Sequence, residues 1–549
     1  MKKLQKFLLG VCSVALCMSA VALASENTET VSVSADTVST WEMVDGASIR
    51  TSAPSGIRFT ARISESDYAA LMANDADVSF GMVIMPYSYV AQYGDADTVF
   101  DANTNYTFSE SDTTKVRVLH DSVAELTTKK NGYYYFNAAL TNIAESNYEK
   151  EFYARAYYSD GTNYYFTPDN GTDNVRSVSY VAQKALEDHY NTASTTSYSA
   201  ATVATMTDYI TQFETISNGS VTLTVADAAD VTSIAVDGTV VTPTATSENT
   251  VTLETTLGRH KATITTAKAS YDIPFVSATY VIDSNTALAN MYSNMQQTAS
   301  SKSAEYLVLA CDIDYKNEKL TASAAISSWY GKFDGYGHTI SNLELYNPTN
   351  QQGFLCVTFY GQAMDLVFNN VLVKNGGHGG VLCANLGHKS SYGSFGQTVE
   401  NVVVIGSNDN STNAGLIGHT INALAKIKNC IVIDKGEGKY LLNGTYGGTT
   451  KVNRSALGGI VPNEETLPTV ENTLVATTGI AVLLKSDKTD VTSSYGVTKV
   501  DSEAAITAAQ LSAFATAAGE NSSWTFNTTT GELSLMGNVV FTVSPNNNL

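Results

Sequence analysis

Ile340-Ser341-Asn342-Leu343, Phe368-Asn369-Asn370-Val371, Val399-Glu400-Asn401-Val402, Ile427-Lys428-Asn429-Cys430 and Val470-Glu471-Asn472-Thr473 are five versions of one phrase: an apolar residue, a polar one, then asparagine. The asparagines lie 28, 31, 28 and 43 residues apart, the intervals of solenoid turns whose loops vary in length. A second series keeps step with the first: Gly353-Phe354-Leu355, Gly380-Val381-Leu382, Gly415-Leu416-Ile417 and Gly459-Ile460-Val461. One coil cannot bury its own apolar face, whereas coils stacked about 4.8 Å apart form a continuous parallel sheet and interior. Asparagine at a corner tolerates a left-handed backbone and can bond its amide to the next asparagine above. Asn342, Asn370, Asn401, Asn429 and Asn472 are therefore expected to form a structural ladder. The segment they belong to, from about Thr279 onward, reads as a right-handed parallel β-helix.

The glycine register sets Cys356 and Cys383 at the same place, three residues after Gly353 and Gly380. On adjacent coils they would lie within the Cα separation a disulfide tolerates, about 4.4 to 6.8 Å. The alternative is a pair of buried thiols, because core cysteine behaves as a small hydrophobe. Thr286 to Ala299 carries helical spacing and reads as a cap over the first coil, with Ile506 to Ala517 as its counterpart at the other end.

Outward from the repeat, the fold class is mainly β throughout. Residues 1–24 combine a basic start, an apolar run from Phe7 and the small-x-small pattern Ala22-Leu23-Ala24, which is a secretory signal peptide. Residues 25–40 read as a disordered leader and 41–190 as an antiparallel β-sandwich, with Asp160-Gly161 marking a tight hairpin. A helical linker, 191–217, leads to an Ig-like β domain, 218–278, expected to act as a spacer; the β-helix with its N-terminal capping helix occupies 279–545. No later stretch is apolar for the roughly 18 residues a bilayer span requires, and the tail carries no hydrophobic anchor. The mature chain is thus expected outside the cell or on its surface. Loss of Lys2, Lys3 and Lys6 with the signal peptide takes the net charge from −21 to −24, which argues against nucleic acid as a partner.

Tyr306-Leu307-Val308-Leu309-Ala310-Cys311-Asp312-Ile313-Asp314, followed by Gly331-Lys332-Phe333-Asp334-Gly335-Tyr336-Gly337-His338-Thr339-Ile340, resembles the opening coils of the GLUG-motif β-helix proteins of bacterial surfaces. Gly415-Leu416-Ile417-Gly418 is similar to the motif that names them, and Trp524-Thr525-Phe526-Asn527 with Gly531-Glu532-Leu533-Ser534-Leu535 resembles the segment that often closes such repeats. The resemblance covers about half the chain and implies surface display with adhesion or glycan contact.

Polysaccharide cleavage on the coils would need paired carboxylates or a proton-abstracting base. Gly377-His378-Gly379 with Lys426-Ile427-Lys428 resembles the Gly-His-Gly and Arg-Ile-Lys elements of polygalacturonases, making His378, Lys426 and Lys428 the catalytic candidates. That family needs several acids on the preceding coils, whereas Phe368 to Lys374 contains none and Asp365 stands alone. For a lyase, Lys332 and Lys374 join the basic candidates. Asp312, Asp314 and Asp334 are the residues that calcium would use, although no cofactor motif supports it; Asp312 and Asp334 read as turn residues, and His338 as a strand-edge one. Trp329, Tyr330, Tyr336, Tyr360, Tyr392 and Phe395 cluster in the early coils, and Trp329, Tyr330, Tyr336 and Tyr392 are the candidate ligand-binding rings, with core packing as the alternative for each. The expected function is a secreted or surface-associated binding or adhesion protein that contacts an extracellular glycan or surface protein through the β-helix. A polysaccharide lyase or glycoside hydrolase, and a structural surface or matrix component, are the alternatives.

Overall fold

The computed structural model describes residues 40–543 apart from 53, 75–76, 88–89, 91–117, 120–122, 142, 144–147, 149, 191–193, 208, 226–227, 248, 268–269, 299–304, 321–325, 348–351, 376–378, 388–395, 409–412, 436–444, 447–449, 452, 455, 462–467, 485–488, 520–521 and 537. The expected signal peptide, all of the expected leader but Thr40, and the candidates His378, Tyr392 and Phe395 lie outside the described residues.

Among the described residues the chain is mainly β. Two antiparallel sheets of five strands each come first, one built on Gly56–Ser64 and Tyr133–Thr141, the other on Ser79–Pro86 and Phe152–Ser159. Alternation along Gly56–Ser64 turns Ile57, Phe59, Ala61 and Ile63 inward, where they share a core with Phe80, Phe136 and Phe152. The Asp160-Gly161 turn closes its hairpin through Gly161 at φ 86° and an Asp160 carboxylate that accepts the N–H groups of Thr162 and Asn163.

The helix Val178–Tyr190 ties these sheets to the next unit. Its Leu186 and Tyr190 share one apolar cluster with Val221, Leu223, Ile264 and Tyr271, and the rings of Tyr190 and Tyr271 stack at 4.2 Å. The small β unit is thus packed directly against its predecessor. Part of the expected linker differs: Gln212–Thr215 is an edge strand, pairing parallel with Ser270–Ala278. A four-residue strand with one apolar side chain leaves no periodic signal to read.

From Tyr280–Ile282 to Val497–Val500 the largest sheet is built of parallel pairs that repeat coil upon coil, while short antiparallel pairs lie beside it and beyond it, the last of them Trp524–Asn527, Glu532–Leu535 and Asn538–Thr542. Leu307, Phe333, Ala363, Val399, Ile427 and Val470 form one in-register column. Ile313, Ile340, Phe368, Val404, Val432 and Val475 form another. Both columns are buried in one continuous interior. A separate parallel sheet runs through Ser328–Trp329, Cys356–Phe359, Cys383–Leu386, Gly418–Asn422, Gly458–Val461 and Val482–Leu484. The helix Asn285–Thr298 sends Leu288, Met291 and Tyr292 into the same interior, and the Tyr292 hydroxyl donates to the Phe354 carbonyl at 2.7 Å.

Runs such as Ile431-Val432-Ile433 are apolar at every position because both faces of that sheet are covered. The outward column Val367, Val403, Ile431 and Leu474 packs against Ile506, Leu511, Phe514, Trp524, Leu533 and Phe541. The helix Ala508–Ala518, expected to cap the far end, therefore lies over the outside of the stack instead. Its sequence shows an apolar stripe but not which surface the stripe meets.

All five repeated asparagines adopt left-handed backbone, with φ between 45° and 59°. They do not, however, form one ladder. Asn370 pairs with Asn342, donating to its side-chain oxygen at 2.8 Å, and Asn342 donates to Asp314 at 2.7 Å. In the following coil the pairing passes from Asn369–Ile405 to Val371–Gly406, so Asn370 is a bulge. Asn401 aligns with Asp365, between the pairs Met364–Glu400 and Leu366–Val402, and Asn429 and Asn472 continue that second column. The coil joining the two columns thus spans 36 residues, and the 31-residue interval compared two different corners.

The glycine series slips as well. A Cβ on Gly353 would stand 2.2 Å from the Cys383 Cα, and one on Gly380 would stand 2.5 Å from the Gly418 Cα, so close coil contact requires glycine there. Leu416 and Ile417, however, donate to the carbonyls of Ala456 and Leu457, while Gly459 pairs with Thr420. Gly459 is therefore not the counterpart of Gly415.

Candidate functional site

The aromatic candidates separate by what their rings meet. Trp329 follows the inward direction of its short strand and is 3% exposed, within the coil interior. Tyr336 has φ 46° and packs edge-on against Phe213 at 5.1 Å, with the Arg259 guanidinium 4.7 Å above its ring. Both rings are committed to packing. Tyr330 and Tyr360 sit at the same corner of adjacent coils, directly after the paired residues Trp329 and Phe359. Their rings stack at 4.8 Å with 21° between planes, and each is half-buried.

Next to Tyr336 lies a polar junction that no motif announced. Arg259, on the strand Gly258–Thr266 of the small β unit, donates from Nε to Asp334 at 2.7 Å and from Nη2 to Asp365 at 2.6 Å. The Asp334 side chain is fully buried, that of Asp365 is 2% exposed, and that of Arg259 is 30% exposed. The Tyr306 hydroxyl donates to Asp334 at 2.6 Å, and Asn401 donates to Asp365 at 2.9 Å. Asp334 also accepts the Tyr336 N–H, so its turn role holds alongside the ion pair.

Burial pushes the Asp365 carboxyl up, a shift that Arg259 opposes and Asp334 reinforces. Burial alone would lower the guanidinium of Arg259, but Asp334 and then Asp365 overcome it and raise it above its ordinary value. The Tyr306 hydroxyl is raised, first by burial and then by Asp334. A guanidinium shared between two buried carboxylates has little capacity left for a ligand, so the cluster fastens two units together.

The described lysine candidates lie on different pairings. Lys426 and Lys428 share one strand, with Lys428 in register between Glu400 and Glu471. Lys374 lies 3.1 Å from Glu344 on another face, and Lys332 stands 5.8 Å from the Tyr306 ring. Asp312 accepts the Thr339 N–H at 2.9 Å and meets His338 Nδ1 at 3.3 Å. Its carboxyl is held below the usual range: burial works against this, but His338, Lys150 and the Thr339 N–H prevail. Asp314 receives the Lys316 N–H and Asn342. Among the described residues no three His, Cys, Asp or Glu side chains stand together as a metal site, and no helix is long and apolar enough to cross a membrane.

Cys356 and Cys383 are direct partners in the parallel ladder, and both are free, buried thiols. Burial raises the Cys356 thiol, with Cys383 adding to it, and burial pushes Cys430 up to about 12. These thiols are poor nucleophiles.

The chain matches no family model, and no curated protein matches it at a significant level.

Proposed function

We propose that this chain is a secreted or surface-associated bacterial binding protein, in which a right-handed parallel β-helix of the GLUG-motif kind contacts glycan. In this reading the antiparallel units ahead of it are a β-sandwich and an Ig-like domain. The observation that carries the proposal is the Tyr330–Tyr360 stack, two half-buried rings held in register at one coil corner. Apolar ring faces suit the C–H face of a sugar, and placement directly after paired strands keeps the platform ordered before a ligand arrives.

A glycan array run beside reducing-end and unsaturated-product assays tests it. Binding without turnover, lost in Tyr330→Ala/Tyr360→Ala, is the expected outcome. Turnover would move the function to a polysaccharide lyase or glycoside hydrolase. Neither binding nor turnover would leave a structural surface or matrix component.

A further inference from the structure

We propose that the outward face of the first antiparallel sheet is a second, independent binding surface, and that its occupant is an anionic polysaccharide bearing carboxylate or sulfate groups. Cross-strand register decides which side chains share this face, since directly paired residues project to the same side. Glu42 pairs with Arg62, Arg62 with Tyr135, and Lys130 with Tyr133. On the same parity, Arg58 follows four residues before Arg62, and Arg50 pairs with Gly56 two residues before Arg58.

Four cations thus lie on one sheet face, and Glu42 answers Arg62 at 2.7 Å. Arg58 and Lys130 have no carboxylate partner among the described residues. This concentration runs against the whole chain, in which 53 acidic residues outnumber 32 basic ones. A positive patch on a strongly negative protein attracts an anionic partner locally while the remaining surface repels indiscriminate polyanion binding.

The remaining chemistry favours a saccharide. Arg62 lies over the Tyr133 ring at 4.7 Å, so a planar cation and an aromatic face are offered side by side. Thr60 and Asn137, bonded to each other at 2.8 Å in the middle of the face, supply a hydroxyl and an amide suited to sugar hydroxyls. Arg58 and Arg62 stand roughly 14 Å apart along their strand, which spaces the cations for successive charged units of a chain. The Asn131-Gly132 turn, at φ 51° and 81°, holds Lys130 opposite Tyr133, so the platform is built before binding.

Affinity electrophoresis of the mature full-length chain in gels containing polygalacturonate, chondroitin sulfate, dextran or duplex DNA tests the proposal. Retardation by at least one acidic polysaccharide, and not by dextran or DNA, is expected. Arg58→Ser/Lys130→Ser should weaken it by about tenfold or more, since two charged contacts are lost. Lys316→Ser/Lys499→Ser, with the same change of net charge on the coil stack, should leave it intact. Absence of retardation, equal retardation by dextran or DNA, or equal weakening by both double variants would overturn the proposal. Because none of these variants touches Tyr330 or Tyr360, the outcome is separate from that of the coil-corner site.

Discussion

Replacing Arg259 by methionine removes the cation that joins the small β unit to the coil stack and leaves Asp334 and Asp365 buried side by side. Breaking a buried ion pair from one side costs about 3–5 kcal/mol, because the remaining charge keeps its desolvation penalty. Arg259 is 30% exposed, so water can reach part of the vacated space, and the lower end, about 3 kcal/mol at pH 7, is the expected loss. The pH dependence has a defined sign. Burial already raises Asp365 in the parent, so between its unfolded and folded values the folded form binds more protons than the unfolded chain. Stability from this group is fully present below the unfolded value of about 3.9 and is lost as pH rises through the folded value. Without Arg259 the folded value rises further, and the variant's deficit should shrink between pH 7 and pH 4.5. Urea unfolding followed by tryptophan fluorescence measures both quantities, and Arg259→Met/Asp334→Asn/Asp365→Asn should recover most of the loss. A variant within about 1 kcal/mol of the parent at pH 7, or a deficit undiminished at pH 4.5, would refute the reasoning.

Gly353→Ala would place a methyl carbon 2.2 Å from the Cys383 Cα, and should cost at least about 3 kcal/mol in the same assay through overpacking. Burial pushes the Glu214 carboxyl up to about 7, so the parent should lose stability as pH rises from about 4.5 through 7, and Glu214→Gln should flatten that part of the profile. In thiol titration at pH 8 the buried Cys356, Cys383 and Cys430 should stay unreactive in the folded chain, and all four of Cys311, Cys356, Cys383 and Cys430 should react after unfolding without reductant. Fewer than four would indicate a bridge.

Local chemistry was the legible part of this fold. Asparagine tolerates positive φ, and each of the five repeated asparagines has it. Glycine permits close approach, and Gly353, Gly380 and Gly415 sit where a Cβ would meet the next coil's backbone. Which corner each asparagine occupies was not legible, because Asn370 and Asn401 carry the same local phrase although a bulge and a longer coil set them in different columns. The Arg259 junction was hidden for a related reason: Asp334 and Asp365 look like isolated turn acids until a strand residue 75 and 106 residues earlier supplies their cation. The signal available was Asp365 itself, a lone acid ahead of an apolar run. Trp329 and Tyr330 are neighbours in sequence, yet one fills the interior and the other stacks at the corner, because the strand ends at Trp329 and the chain turns at Tyr330.

Zero-length carbodiimide cross-linking with peptide mass spectrometry tests the coil stack most directly. Lys374 lies 3.1 Å from Glu344, 30 residues earlier on the neighbouring coil, and Lys435 contacts Glu503 where the C-terminal segment folds over the stack. The expected products are amide links between Lys374 and Glu344 and between Lys435 and Glu503. Lys374 left unmodified, or joined only to acids outside its neighbouring coils, would contradict the parallel stacking on which the whole account stands.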